Sequence, residues 1–281
     1  MIFPLQPLLD GWRRANVERL VRLVLLDVDG CLTPGEALPL NFAVFTRLQE
    51  LNRRAAEDPA VPGLALCTGR PEPYVEFMTQ AIGGYLPAIW ENGAGLYVPA
   101  EYRFKLNPLL DVERLTAFEQ ARRLVSEALI RPGLARPQPG KEVSISLYPT
   151  ERSTIDELYE LARRAVEPLA GHYWVQTGLT CVEVLPEGIH KGSGVRWLLD
   201  ELGLSPAQAL GVGDSPGDLE IFRITGLAAT PANGDPAVKA AAHFVAPRAS
   251  SEGVLDILDW CIGRNRGRGM KDEGCSGGPA V

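Results

Sequence analysis

No apolar run in this 281-residue sequence approaches the ~20 residues needed to span a bilayer, which argues against a helical membrane anchor. The segment Met1 to Leu9 is apolar, but Pro4 and Pro7 interrupt it. It lacks a basic leader and is too short for a secretory signal with its cleavage site. There is no CxxC pair; the five cysteines (Cys31, Cys67, Cys181, Cys261, Cys275) are odd in number and widely spaced. That pattern points to neither a structural zinc site nor a disulfide framework, and it fits a reducing cytosol. A basic patch is missing too. The net charge is −7, and the arginines are scattered along helical patterns as solvated faces would require. Nucleic acid, which demands clustered Lys and Arg, is therefore not the expected partner, and neither is a membrane. The expected location is cytoplasmic, as a monomer or homodimer.

What is present is ordinary for a folded chain: 46% apolar and 22% charged residues, enough for one large or two moderate domains. Residues 10–19 read as a short helix. The near-continuous apolar run 20–26 reads as a parallel strand buried on both faces, and it stops at Asp27-Val28-Asp29-Gly30. A helix follows with Phe42, Phe45, Leu48 and Leu51 at helical spacing. A second buried strand, 63–67, ends at Thr68-Gly69-Arg70. Pro71 and Pro73 open another helix, with Tyr74, Phe77 and Met78 on its apolar side. A third short strand, 86–90, closes on Glu91-Asn92-Gly93-Ala94. The alternation predicts a doubly wound α/β sheet.

The pattern changes over 96–187. Two long amphipathic helices (112–130 and 154–169) accompany segments alternating with period two (143–148 and 180–185), which predicts an α+β unit with a half-covered antiparallel sheet. The first pattern resumes after Lys191: a helix over 193–202, a strand over 209–212, the loop Gly213-Asp214-Ser215-Pro216-Gly217-Asp218, and short strands at 226–229 and 243–245. The expected division is a discontinuous domain of residues 1–95 and 188–265, an inserted domain of 96–187, and a disordered tail of 266–281 with little to bury.

Ligands of open α/β sheets bind at the carboxyl ends of the strands. Four such ends bring polar residues: Asp27 with Asp29, Thr68 with Gly69, Lys191, and Asp214 with Asp218. Four converging carboxylates repel one another unless a cation intervenes, and an all-oxygen set with room for water favours Mg²⁺ over Zn²⁺. A Lys and a Thr hydroxyl in such a pocket make sense when an anion also binds. A carboxylate is a competent nucleophile toward phosphorus, and its neighbour can shuttle the proton. Singly each motif is weak: a lone DxD also occurs in nucleotide-sugar transferases and by chance, TGR can be a plain strand-to-helix turn, and Lys191 a solvated lysine. Their order, each after an apolar run, carries the joint reading.

The series Leu25-Leu26-Asp27-Val28-Asp29-Gly30, Cys67-Thr68-Gly69-Arg70, Lys191-Gly192 and Gly213 to Asp218 resembles the four motifs of the haloacid dehalogenase-like superfamily. The stretches 91–94, 183–192 and 236–242 resemble its class IIB branch, which includes Cof-type sugar phosphatases, sucrose-phosphate phosphatase, mannosyl-3-phosphoglycerate phosphatase and phosphomannomutase. The resemblance covers residues 20–95 and 188–260. It implies a Rossmann-like parallel-sheet core with a C2B-type α+β cap hinged near Gly95 and 187–188, and hydrolysis of a small phosphorylated metabolite, a sugar or sugar-acid phosphate. It further implies Asp27 as nucleophile and Asp29 as general acid/base. Mg²⁺ would be held by Asp27, the Asp29 carbonyl, Asp214 and Asp218, the last directly or through water. Thr68, Gly69 and Lys191 would bind the phosphoryl group, with Asn233 and Lys239 lining the same pocket. Cys31 stands where the family has Thr or Val, and an inert buried thiol is the expectation. Cap candidates for substrate choice are Lys141, Tyr148, His172, Tyr173, Gln176 and Thr177, with His172 equally a surface loop residue and Trp174 expected in the cap core. His190 reads as a polar turn residue, and His243 has no assigned role. A phosphomutase or phosphotransferase, or a phosphate-binding regulator without turnover, is the alternative; a response-regulator receiver fits poorly.

Overall fold

The computed structural model describes residues 5–14, 20–178 and 180–267. α1 (Leu5–Arg14) leads to β1 (Leu23–Leu26), α2 (Phe42–Ala55), β2 (Gly63–Leu66), α3 (Glu72–Ala81) and β3 (Ala88–Trp90). β4 (Gly95–Val98) and β5 (Arg103–Leu106) follow, then α4 (Val112–Val125), β6 (Ala135–Pro137), β7 (Ile145–Pro149), α5 (Ile155–Ala165), β8 (Tyr173–Thr177) and β9 (Val182–Pro186). The chain returns through α6 (Lys191–Leu202), β10 (Ala209–Val212), α7 (Leu219–Phe222), β11 (Leu227–Thr230), α8 (Pro236–Ala241), β12 (Phe244–Val245) and α9 (Ser250–Asn265).

The central sheet is parallel, in the order β12-β11-β10-β1-β2. At its centre Leu25 pairs with Ala65 on one side and Gly211 on the other. All four residues of β1 are fully buried, as a strand covered on both faces requires, and each such side chain stabilises the fold by about 1.5–3 kcal/mol. The carboxyl ends of β1, β2 and β10 therefore open side by side, and this is what gathers the polar loops.

Several expectations are corrected. The first helix lies earlier than 10–19, because Leu5, Leu8, Leu9 and Trp12 supply the face that packs on the core; residues 15–19 lie outside the described residues. Pro7 falls in its first turn, where a missing N–H costs nothing. The buried Arg22 guanidinium donates to the Trp12 carbonyl and lies 5.2 Å over its ring, so the first strand proper begins only at Leu23. β3 touches β2 through an isolated parallel bridge, Cys67 to Ile89, but its ladder is antiparallel with β4, and β4 pairs with β5. Phe77 and Phe42 are exposed: the buried stripe of α3 runs through Val75, Met78 and Thr79, and that of α2 starts at Val44 and Phe45. The expected tail lies almost wholly outside the described residues.

A second four-stranded sheet, β6-β7-β9-β8, is antiparallel. Its own apolar core includes Phe118 and Val125 of α4, Leu158 of α5, and Leu147, Val182 and Val184 of the strands. Asp111 caps α4 by accepting from Arg114 N at 2.8 Å, and Thr154 with Glu157 forms a reciprocal capping box on α5. Residues Leu96, Tyr97 and Leu110 still belong to the first core, so β4 and β5 extend the larger unit before the second begins. No helix among the described residues is long and apolar enough to cross a membrane.

Candidate active site

Asp27 leaves β1 still tied to the sheet, its N–H donating to the Val212 carbonyl at 3.0 Å. Its Oδ1 accepts from Lys191 Nζ at 2.8 Å, and the same ammonium donates to Asp218 Oδ1 at 2.6 Å. Lys191 opens α6 and is almost wholly buried. Asp218 is fully buried. Its Oδ2 accepts from the N–H groups of Asp214 (3.0 Å) and Ser215 (2.9 Å) and from the Ser215 hydroxyl (2.9 Å). Asp218 thus shapes the 213–218 loop and fixes Lys191, and its oxygens are occupied by those contacts.

Three buried carboxylates lie near one ammonium, which pairs with two of them. Burial raises Asp27 well above the usual carboxylate range, and Asp218 and Asp214 push the same way against Lys191. Asp214 is raised to about 7, first by burial and then by Asp218. Burial opposes the charge on Lys191, but Asp218 and Asp27 outweigh it and raise its pKa. Gly30, at φ +88°, turns beside Asp214; a Cβ there would stand 2.0 Å from Asp214 Oδ2, so only glycine fits. Cys31 Sγ donates to Asp214 Oδ1 at 3.7 Å, and burial, with Asp214 and Asp27, raises its pKa far above that of a free thiol.

Ligand atoms of Asp27, Cys31 and Asp214 lie within 4.8 Å of one another. A protonated Cys31 offers no anionic sulfur, and the remaining donors are oxygens of two carboxylates that repel each other. That set fits a hard divalent cation such as Mg²⁺ and not Zn²⁺.

Asp29 points the other way. Its Oδ2 and Oδ1 accept from Arg70 Nε and Nη2, each at 2.7 Å. Arg70 lies 4.9 Å over the Tyr74 ring, and the Asp29 bonds hold its guanidinium pKa above its ordinary value. Thr68 is buried, and its hydroxyl accepts from Arg70 N at 3.2 Å. Asn233 donates to the Gly30 carbonyl at 2.9 Å and accepts from Ser250 N at 2.7 Å, bracing the turn after Asp29.

One cavity of about 410 Å³ is lined by Asp27, Asp29, Thr68, Gly69, Lys191 and Asp214, with Asn233 at its edge. Asp218 lies beneath it. Lys239 of α8 does not line it. Of the cap candidates, Tyr148, Gln176 and Thr177 face the cavity. Lys141 donates to the Gly69 carbonyl from a neighbouring recess. His172 lies 3.7 Å from Glu113, away from the site. Tyr173 is buried, stacked on Phe118 and donating to the Val143 carbonyl at 3.3 Å. Trp174 is half-buried and donates to the Pro186 carbonyl at 3.1 Å, and His190 lies 3.3 Å from Glu220. His243 is exposed, and its Nδ1 accepts from Ala228 N at 3.1 Å at the sheet edge.

Sequence reading missed the residues joining the two units. Glu91 is fully buried and accepts from the N–H groups of Glu142, Val143 and Ser144 and from the Ser144 hydroxyl, at 2.7–3.1 Å. Asn92 donates to Glu183 at 2.8 Å. Glu36 accepts from Tyr148 (2.9 Å) and Thr180 (3.2 Å). The signal available was positional: Glu91 and Asn92 follow an apolar strand as the other site residues do, and both adopt positive φ.

A model of the haloacid dehalogenase-like hydrolases matches residues 138–258. The chain is 27% identical over 238 residues to a phosphoglycolate phosphatase of Methanopyrus kandleri, covering 84% of this chain and 95% of that protein. Among solved structures, protein 0175 of Thermoplasma acidophilum superposes with a TM-score of 0.69 at 19% identity, covering 86% of this chain and 98% of that one. The sucrose-phosphatase of Synechocystis, solved with sucrose and phosphate, gives 0.61 at 19% identity, covering 86% and 98%. The neighbours share the fold: a parallel sheet beside a second, antiparallel one. Over residues 138–258 the chain is similar to the haloacid dehalogenase-like hydrolases.

Proposed function

We propose that the protein is a Mg²⁺-dependent phosphomonoester hydrolase that acts through an aspartyl-phosphate on Asp27, on a small phosphorylated metabolite of the sugar or sugar-acid class. The observation that carries this reading is Lys191 Nζ held between Asp27 (2.8 Å) and Asp218 (2.6 Å) in a cavity that also presents Asp29, Thr68 and Asp214. The names of the curated relatives and the sucrose and phosphate in one structural neighbour support the chemistry.

A phosphoryl group beside Asp27 meets Lys191 and the Thr68–Gly69 turn, which balance the charge developing on its oxygens. An Asp27 oxygen attacks phosphorus and the ester P–O bond breaks. Asp29 gives its proton to the leaving oxygen, for which one of its oxygens must part from Arg70. Water then attacks phosphorus of the acyl phosphate and returns a proton to Asp29; inorganic phosphate leaves and the Asp27 carboxylate is restored. Asp27, Asp214 and the Asp29 carbonyl would hold Mg²⁺, with Asp218 supporting through the loop, and the ion supplies positive charge at the transferring oxygens. Residues 96–187 act as a cap that closes the site from water. The reaction takes place in the cytoplasm.

The test is inorganic phosphate release from a panel of phosphorylated metabolites, with Mg²⁺ and with EDTA. The panel includes hexose phosphates, sucrose 6-phosphate, mannosyl-3-phosphoglycerate and phosphoglycolate. Release that EDTA abolishes is expected. A sugar phosphate isomerised without phosphate release would reassign the chain to a mutase, and binding without turnover to a regulator.

A further inference from the structure

The cavity has a wall to which the hydrolysis assigns no task. Glu183 of β9 reaches across from the second sheet, accepting from Asn92 (2.8 Å) and Gln176 (2.7 Å) and from Ser146 at 3.5 Å. Its Oε1 lies 3.1 Å from the position a Cβ on Gly69 would take, so the carboxylate overhangs the Thr68–Gly69 turn. No Lys or Arg pairs with it among the described residues. The side chains lining the cavity include five acids (Asp27, Asp29, Glu36, Glu183, Asp214) and two bases, Arg70 and Lys191. Lys191 is committed to Asp27 and Asp218. Arg70 is committed to both oxygens of Asp29 and stacked on Tyr74. Ser146 and Gln176 donate to Glu183, and Gln138, Thr177 and Thr180 line the same cavity, amides and hydroxyls suited to hydroxyl groups.

We infer that Glu183 sets leaving-group selectivity: the site favours phosphomonoesters of neutral polyhydroxy alcohols and turns away those whose leaving group carries a carboxylate. This rests on the phosphomonoesterase reading above and narrows it. A second anion beyond the phosphoryl group meets Glu183, and neither base lining the cavity is free to pair with it. Lys141 sits in the neighbouring recess on the Gly69 carbonyl. A hydroxyl, by contrast, donates to Glu183. A like charge about 4 Å away costs about tenfold in kcat/KM, between the bulk-water and protein-interior limits. Glu183 is a specificity-determining residue here and takes no part in bond making.

The experiment compares kcat/KM for glycerol 3-phosphate and phosphoglycolate, similar in size and different in charge, with p-nitrophenyl phosphate reporting the chemistry. The wild type is expected to prefer glycerol 3-phosphate by about tenfold or more. Glu183→Gln is expected to shrink that ratio at least about fivefold by raising turnover of phosphoglycolate. Raising ionic strength should narrow the wild-type gap, a readout that needs no variant. Equal or better use of phosphoglycolate by the wild type overturns the inference, as does a ratio that Glu183→Gln leaves unchanged because both substrates fall together. Turnover of p-nitrophenyl phosphate alongside either result confines the failure to the inference. No phosphate from any of the three overturns the hydrolase reading itself, and the inference with it.

Discussion

Arg70 grips both carboxylate oxygens of Asp29, Nε and Nη2 each at 2.7 Å. The proposed proton donor is thus oriented by a rigid fork that a point charge cannot imitate. Arg70→Ala is expected to lower kcat about 10- to 100-fold with KM changed less than about threefold, in steady-state phosphate release. Arg70→Lys should recover little of the loss. An unchanged kcat would remove Arg70 from the account.

Asp218 holds the loop and the lysine together. Removing its carboxylate leaves the N–H groups of Asp214 and Ser215 unpaired and strips Lys191 of one of two partners. Asp218→Ala should cost about 3 kcal/mol or more in urea unfolding. A loss below about 1 kcal/mol would show that water replaces those bonds.

Much of the candidate site was legible in the sequence because its residues follow apolar strands: Asp27, Thr68 and Asp214 are placed by the ends of β1, β2 and β10. The inter-unit contacts were not. Glu91 and Asn92 follow β3 while Glu183 lies on β9 of the other sheet, and no periodicity within either segment encodes that meeting. Tyr173 misled for a related reason. Alternation along β8 marks two faces but does not say which one turns toward the cavity, and Tyr173 turns inward to the helices.

Without metal, the Asp214 carboxyl, raised to about 7 by burial and by Asp218, makes stability depend on pH. From about pH 4, where an unfolded Asp loses its proton, up to about 7, the folded state holds a proton that the unfolded state has released, so stability falls as pH rises. Thermal melts in EDTA should show a higher Tm at pH 5.5 than at pH 7.5. Mg²⁺ should raise Tm more at pH 7.5, where the site is most anionic. A Tm that rises with pH in EDTA would contradict the burial of Asp214 beside Asp218.

Burial holds the thiols of Cys31, Cys67 and Cys261 well above the ordinary range, Cys261 at about 12. Peptide mapping after iodoacetamide treatment at pH 7.5 should find these three unlabelled in the native protein and labelled after denaturation. Native labelling of Cys31 would mean that the turn after Asp29 opens.

The most direct test of the central claim is phosphate release by Asp27→Asn beside the wild type, in Mg²⁺, on the best substrate of the panel. Asparagine keeps the shape of the side chain next to Lys191 but removes the anionic nucleophile. A fall of at least about a thousandfold with the fold intact is the predicted result. Retention of near wild-type release would contradict an aspartyl-phosphate on Asp27 and with it the mechanism.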